Sequence, residues 1–489
     1  AGFPIQNYHI AFDYLLALMV RILDIPALDL YFRIVPLTMI ISIVYLIYLW
    51  LKKLSFSTFT INLAIIGACL TGSLGFIVTI FQKHEIFSGE SLFWANQSVS
   101  ILLNPPFALS LIILLLFFNI LETKKPFSAK RFLALCLLGG ILSQIKIYSF
   151  LLLLVALFLN RLWKLTVGVA LIGFLFILPT LSLSGSPFLF SPLWFVNTMV
   201  ASGDRLNLKI LAEALQSYAA QGLFAKYLLI SLVSSMIFVL GNLGVRLLGT
   251  ISLLKNNLTL SEKLSRSIIF FGLFLPFVII QKINPWNTIQ FTYYSLFFLS
   301  LFSAKVIGDL RSRRTKIIFV ILIAALALPT TTGTLKDYVS GNSASRISFN
   351  ELRLLDVLRW SPPGIVLSPV YGTFAPSQIY DPRSLYDYTS TAYISALSGR
   401  QEFLSDTINL DITGYAYQSR SKDVQRFYNT QDSVWAKQFL TGNKIRYIYE
   451  LSDKPFKISR EDLCLTKIFD SGEINLYKVS CYGEDFGSH

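Results

Sequence analysis

The stretch SQIKIYS sets Lys146 between two apolar runs, Arg131–Gln144 and Ile147–Asn160, each short for a membrane crossing. An ionisable group at the tip of such a helical pair is costly there, and such groups usually serve function. Its ammonium would hold an anionic head group such as a lipid phosphate, with Gln144 and Tyr148 making the pocket polar. The plainer reading is a lysine snorkelling to the interface. Two loops carry further chemistry. FQKHEIFSGESLFWANQSVSILLNPP offers Lys83, His84, Glu85, Glu90, Asn96, Gln97 and Asn104 to ions or sugar hydroxyls, with Phe93 and Trp94 for stacking on a sugar face. QKINPWNTIQFTYY brings Lys282, Asn284, Trp286, Asn287 and Gln290 to the mouth of a span, Asn287 and Gln290 one helical turn apart. His9 and Asp13 share one helix face. That spacing suits acid–base or metal chemistry, and it equally suits a solvent-facing polar stripe. Arg205 beside Asp204 reads as a surface pair.

Other chemistries are missing from the pattern. There is no GxxxxGK[ST], no GxGxxG between strand and helix, no HExxH and no CxxC. With His9, His84 and His489 the only histidines, the chain offers little for a multi-histidine metal site.

The elements that must position these residues follow from composition. Of 489 residues 54% are hydrophobic and only 14% charged, where a soluble chain carries nearly twice that charge. The net charge of +14 sits in short turns between apolar runs, which is a topology signal and argues against nucleic acid. Runs that can cross a bilayer are Arg33–Leu51, Phe59–Ile80, Pro105–Leu121, Arg131–Gln144, Ile147–Asn160, Leu165–Leu181, Tyr227–Leu253, Ser267–Ile280, Thr288–Gly308 and Thr315–Thr330. Alternate turns hold Lys52 and Lys53; Lys124, Lys125, Lys130 and Arg131; Arg161 and Lys164; Arg246, Lys255, Lys263 and Arg266; and Arg311, Arg313, Arg314 and Lys316. The positive-inside rule makes that side cytoplasmic and puts the C-terminal part outside, in a plasma-membrane protein. Tyr8–Asp24 would invert every later loop if it spanned, so it is expected to lie flat in the outer interface.

The expected fold is an all-α polytopic membrane domain over 1–332, with about ten spans and the interfacial helix 8–24. A linker over 333–345 and a small extracytoplasmic α/β domain over 346–489 follow. In that domain FNELRLLDVLRW, SKDVQRFY and SVWAKQFL read as helices, Gly364–Val370 and Lys444–Tyr449 as strands, and Thr466–Val479 as a hairpin turning at Asp470-Ser471-Gly472. Cys464 and Cys481 flank the hairpin, as free thiols or as a disulfide in an oxidising compartment. The first residue, Ala1, belongs to no signal-peptide pattern, and the true N-terminus is expected upstream.

The segment FPIQNYH, the basic end of LLALMVRIL, the Arg33 of YFRIVPL and the Lys52–Lys53 stop resemble the region after the first extracytoplasmic loop of GT-C glycosyltransferases. The branch is that of protein O-mannosyltransferases and aminoarabinose transferases. Gly241–Gly244 (GNLG), Asn287 with Gln290, and Ser398–Arg400 (SGR) are similar to short elements of uncharacterised bacterial members. The resemblance implies transfer of a sugar from a polyprenyl-phosphate carrier to an acceptor outside the cytoplasm. It implies a carboxylate base, with a divalent cation such as Mg or Mn as an option, and an acidic residue upstream of residue 1. Glu85 and Glu90 would then assist catalysis, with His9 and Asp13 near the acceptor. Lys146 and Arg33 would hold the lipid phosphate, and Tyr148, Trp94, Asn96, Gln97, Asn104, Lys282, Asn287 and Gln290 would line the substrate site. The competing readings are a transporter or flippase of a lipid-linked saccharide, and a non-catalytic scaffold of a polymer-assembly complex.

Overall fold

A computed structural model describes residues 6–123, 127–181, 188–341, 343, 345–370, 373, 382–388 and 391–480. The chain divides into two compact units: Tyr8–Ser340, and Gly341–His489 with Ala1–Asn7.

The Tyr8–Ser340 unit is helical. Among the described residues five helices are long and apolar enough to cross a membrane: Ala27–Lys53, Trp163–Thr180, Phe224–Leu253, Pro285–Gly308 and Arg313–Val339. A sixth crossing arises if Thr58–Leu70 and Gly75–Lys83, bent by 44° at a short break, count as one. The chain is therefore a multi-pass membrane protein. The rest of the ten expected runs fall on shorter or more polar helices. Pro105–Leu121 and Ile147–Leu159 are apolar helices of fewer than 18 residues, and Ala129–Ile145 has 17. Leu260–Val278 loses its first turns to Glu262, Lys263 and Arg266. The Ala11–Leu23 helix has 13 residues, roughly 20 Å of rise, too short for a hydrocarbon core of about 30 Å.

Pro285–Gly308 is the core helix, buried along most of its length. It packs against Thr58–Leu70, Leu260–Val278 and Leu248–Leu253. With lipid as the surrounding solvent, close approach and polar contacts rather than the hydrophobic effect hold helices together. A Cβ on Gly272 would lie 2.4 Å from Ser295 Oγ and 2.6 Å from Phe291 O. At that contact Thr292 Oγ1 donates to Gly272 O and Ser295 Oγ to Ile269 O. Basic side chains of the lysine-rich turns end helices here: Lys53 Nζ donates to Asn119 O, Arg131 Nη2 to Leu121 O, and Lys316 Nζ to Gly308 O. Cations suit helix C-termini because the last carbonyls are orphaned and carry the negative end of the dipole. Lys124 and Lys125 lie outside the described residues.

Arg246 departs from the expected pattern. It is no loop charge but a fully buried side chain. The bent crossing breaks at Thr71–Leu74, and a break within a span frees carbonyls that lipid cannot satisfy. The Arg246 guanidinium donates to Thr71 O at 2.5 Å and Gly72 O at 3.3 Å. It also donates to Gln97 Oε1, Ser98 Oγ and Ser300 Oγ. Thr330 and Thr331 donate to Ser73 O and Leu70 O.

The second unit holds a four-stranded sheet in the order Ile365–Leu367, Ile445–Leu451, Ile474–Val479, Leu465–Asp470. The first pair is parallel and the other two are antiparallel. Strand periodicity sends Ile448 to one face, with Val424, Phe427 and Phe439 of helices Gln418–Asn429 and Ser433–Gly442. Tyr447 and Tyr449 go to the other, with Leu354, Leu355 and Leu358 of helix Phe349–Trp360. Arg400 of the SGR element caps that helix, donating to Leu358 O, Arg359 O and Ser361 O. Cys464 is disulfide-bonded, and Cys481 lies outside the described residues.

Candidate functional site

Lys146 is the joint between helices Ala129–Ile145 and Ile147–Leu159 and is only 6% exposed. Its backbone is extended, its N–H donates to Leu142 O, and its carbonyl accepts from Ser149 Oγ. Among the described residues its ammonium makes no salt bridge and no hydrogen bond. The ammonium lies 5.9 Å from the centre of the Tyr148 ring. Gln144, two residues before, accepts from Ile10 N and donates to Thr180 Oγ1, fixing the start of the Ala11–Leu23 helix beside the joint. His9 therefore stands close to Lys146, its ring stacked on Tyr8 at 5.1 Å. Burial, and then the Lys146 ammonium, push the His9 imidazole down to about 3. A base that weak accepts a proton poorly near neutral pH. Asp13 is exposed and forms no ion pair with His9. Arg33 does not join this group; its side chain is 80% exposed and bound to Asp29 at 2.6 Å.

Tyr148 links the joint to a second feature. Its hydroxyl donates to Gln281 Oε1 at 3.2 Å and its ring meets Phe291 edge-on. Gln281 N in turn donates to Thr288 Oγ1, so the joint is tied to the segment 285–291. That segment is one wall of a cleft of about 700 Å³. Trp94 and Asn96 form a second wall, and Trp194, Thr198, Ser202, Asp204 and Arg205 a third. Asn287, Gln290, Asn284, Trp286, Ile289 and Tyr293 complete the lining. Gln290 Nε2 donates to Asn287 Oδ1. The Arg205 guanidinium lies 4.1 Å over the Trp94 ring and 3.5 Å from Asp204.

GNLG positions Trp94. Asn242 Oδ1 accepts from Ala95 N at 3.3 Å and Asn242 Nδ2 donates to Phe93 O at 2.7 Å, clamping the chain on both sides of the indole. A Cβ on Gly241 would lie 2.4 Å from the Phe93 ring, so only glycine admits that loop. Held this way, Trp94 has φ 75°, a region that a bulky side chain enters only when its surroundings over-determine it.

Several expected site residues do structural work instead. The Glu90 carboxylate accepts from Gln97 N, Ser100 Oγ and Thr334 Oγ1. Gln97 is buried and bound to Arg246 and Ala95 O. Asn104 caps helix Pro105–Leu121 by accepting from Phe107 N. Glu85 and Lys282 are exposed and line no part of the cleft. Among the described residues no three His, Cys, Asp or Glu side chains gather to hold a metal ion. With the Glu90 oxygens already taken, the described residues do not fit a divalent cation. Trp194, Thr198 and Ser202 escaped the sequence reading; an aromatic pair opening a segment of mixed polarity, SPLWFVNT, is the one signal that pointed to them.

No family model matches the chain, and no curated protein matches it. Among solved structures, it is similar to the crystal structure of the Archaeoglobus fulgidus oligosaccharyltransferase tethered with an acceptor peptide containing the NVT sequon via a disulfide bond. The TM-score is 0.45 and the identity 11%, over 92% of this chain and 62% of that one. Chemistry for this chain has to come from its own residues.

Proposed function

We propose that this chain is a membrane glycosyltransferase of GT-C type, moving a sugar from a polyprenyl-phosphate carrier to an acceptor hydroxyl on the extracytoplasmic face. The observation that carries it is the buried Lys146 ammonium without a partner at the joint of two short apolar helices. A charge there is costly unless something anionic meets it, and a lipid-borne phosphate reaches such a joint from the bilayer. In the reaction the acceptor oxygen bonds to the anomeric carbon as the bond to the phosphate oxygen breaks. Lys146 stabilises the charge that builds on the departing phosphate. Neutral His9 and Tyr148 line the same place as hydrogen-bonding groups. The acceptor proton passes to the departing phosphate, and Glu90, whose oxygens are engaged, does not take it.

A flippase would also want polar groups at a broken span, and the break at Thr71–Leu74 offers one. Its carbonyls at Leu70, Thr71, Gly72 and Ser73 already accept from Thr331, Arg246 and Thr330, which leaves the transfer reading preferred.

The test is transfer from labelled polyprenyl-phosphate sugars by the protein in lipid nanodiscs. Lys146→Ala is expected to lower turnover by about 10²–10³, the usual cost of one donor to a developing oxyanion, with Lys146→Arg recovering part of it. Turnover unchanged in Lys146→Ala removes the phosphate assignment. Wild-type protein inert with every such donor removes the reading itself.

A further inference from the structure

The cleft walled by residues 94–96, 194–205 and 284–293 carries unmet hydrogen-bonding capacity of both signs. Trp94 Nε1 and Arg205 Nε are buried donors without a partner, and Asn284 Oδ1 is a buried acceptor without one. All three belong to residues that line the cleft. Buried polar atoms left in this state are costly, so three on residues around one cavity mark a place that a ligand completes. Two donors and an acceptor ask for groups that both accept and donate, which hydroxyls do. A phosphodiester has no hydrogen to donate to Asn284 Oδ1, and Asp204 in the wall opposes any phosphate. With Asp204 beside Arg205 at 3.5 Å, the cleft is close to neutral. Most of its apolar lining is planar: Trp94, Trp194, Trp286 and Tyr293, beside Ile289. Trp286 is 57% exposed, an indole face left open at the rim of a polar pocket, and Trp94 is held there in a strained backbone conformation. Planar aromatic faces against C–H surfaces, surrounded by amide, hydroxyl and guanidinium groups, match a pyranose ring.

We infer that this cleft is a binding site for a neutral saccharide, separate from the Lys146 phosphate site, with Trp286 as its stacking surface and Arg205 and Asn284 as its hydroxyl-binding groups. The ligand class follows from the cleft itself; the role of that sugar as carrier-borne donor or as free acceptor rests on the transfer reading.

Full-length protein in lipid nanodiscs is titrated with chitotriose, mannotriose and maltotriose, and separately with a polyprenyl-phosphate hexose, reading intrinsic tryptophan fluorescence and calorimetry. At least one free trisaccharide is expected to bind with Kd on the order of 1 mM, about −4 kcal/mol. Trp286→Ala should weaken it at least tenfold and Trp286→Phe less. Arg205→Lys, which keeps the charge and loses Nε, should weaken it as well. Lys146→Ala should leave it unchanged. Binding of the carrier-linked hexose alone, lost in Trp286→Ala, also supports the site and makes the donor its source. Trisaccharide binding equal in Trp286→Ala, no binding of any saccharide up to about 10 mM, or full displacement by a serine-containing peptide overturns it. Because Trp286 is half exposed, its loss should not unfold the protein, and an unchanged melting temperature checks this. Trisaccharide binding that persists in a protein that transfers nothing would sink the transfer reading and spare the site.

Discussion

His9 and Lys146 show how one buried ammonium sets the chemistry of its neighbour. His9 has its imidazole pushed down to about 3 by burial first and by Lys146 second, against about 6.5 for a free histidine. Below pH 6.5 the unfolded chain takes up a proton that the folded chain refuses. The stabilisation is therefore complete above pH 6.5 and is lost as pH falls toward 3. His9→Gln removes the titration, so the fall in melting temperature between pH 6.5 and 4 should be shallower in the variant. Parallel pH profiles for the two proteins would count against the burial of His9. Lys146 itself was legible in the sequence, because a lone charge between two short apolar runs stands out. Arg33 was misread: nothing in YFRIVPL discloses that Asp29, one turn earlier, takes its guanidinium.

Elements were more legible than their contacts. The apolar runs correspond to helices because a bilayer demands a local hydrogen-bonded backbone. The C-terminal strands and helices followed their alternation and turn residues for the same local reason. The cleft was not legible as a unit, since its walls come from three segments that are far apart in the chain. Asn242 is the clearest case of an element shaped from a distance, a helix side chain dictating the path of a loop some 150 residues earlier. Asn242→Ala leaves Ala95 N and Phe93 O without their partner, and a cost of about 1–3 kcal/mol per group is expected. Trp94 should then relax from its φ of 75°, which would register as weaker trisaccharide binding together with a lower melting temperature. Stability lost with saccharide affinity intact would mean that the clamp does not position Trp94.

At the scale of the molecule the two units answer to different solvents, and their ionisable groups behave accordingly. In the sheet-containing unit burial raises the carboxyls of Glu351 and Glu402. Glu351 accepts from Tyr393 and Tyr449, and Glu402 from Ser368 and Ser395. A raised carboxyl holds its proton longer when folded than when unfolded. The stabilisation is present below the ordinary carboxylate range and is lost as pH rises through the folded value. The unit should therefore melt at higher temperature near pH 5 than at pH 8 as far as these groups govern, and Glu402→Gln should flatten that slope by circular dichroism. The helical unit carries a different consequence, which concerns its manufacture. An arginine inside the apolar helix Phe224–Leu253 costs about 2.5–3.5 kcal/mol to insert when the helix is alone. Its acceptors at Thr71, Gly72, Gln97 and Ser98 leave the ribosome well before Arg246 does, and only Ser300 comes later. The order of the chain thus lets the earlier helices wait in the bilayer with their carbonyls exposed, so that the arginine enters a berth already prepared.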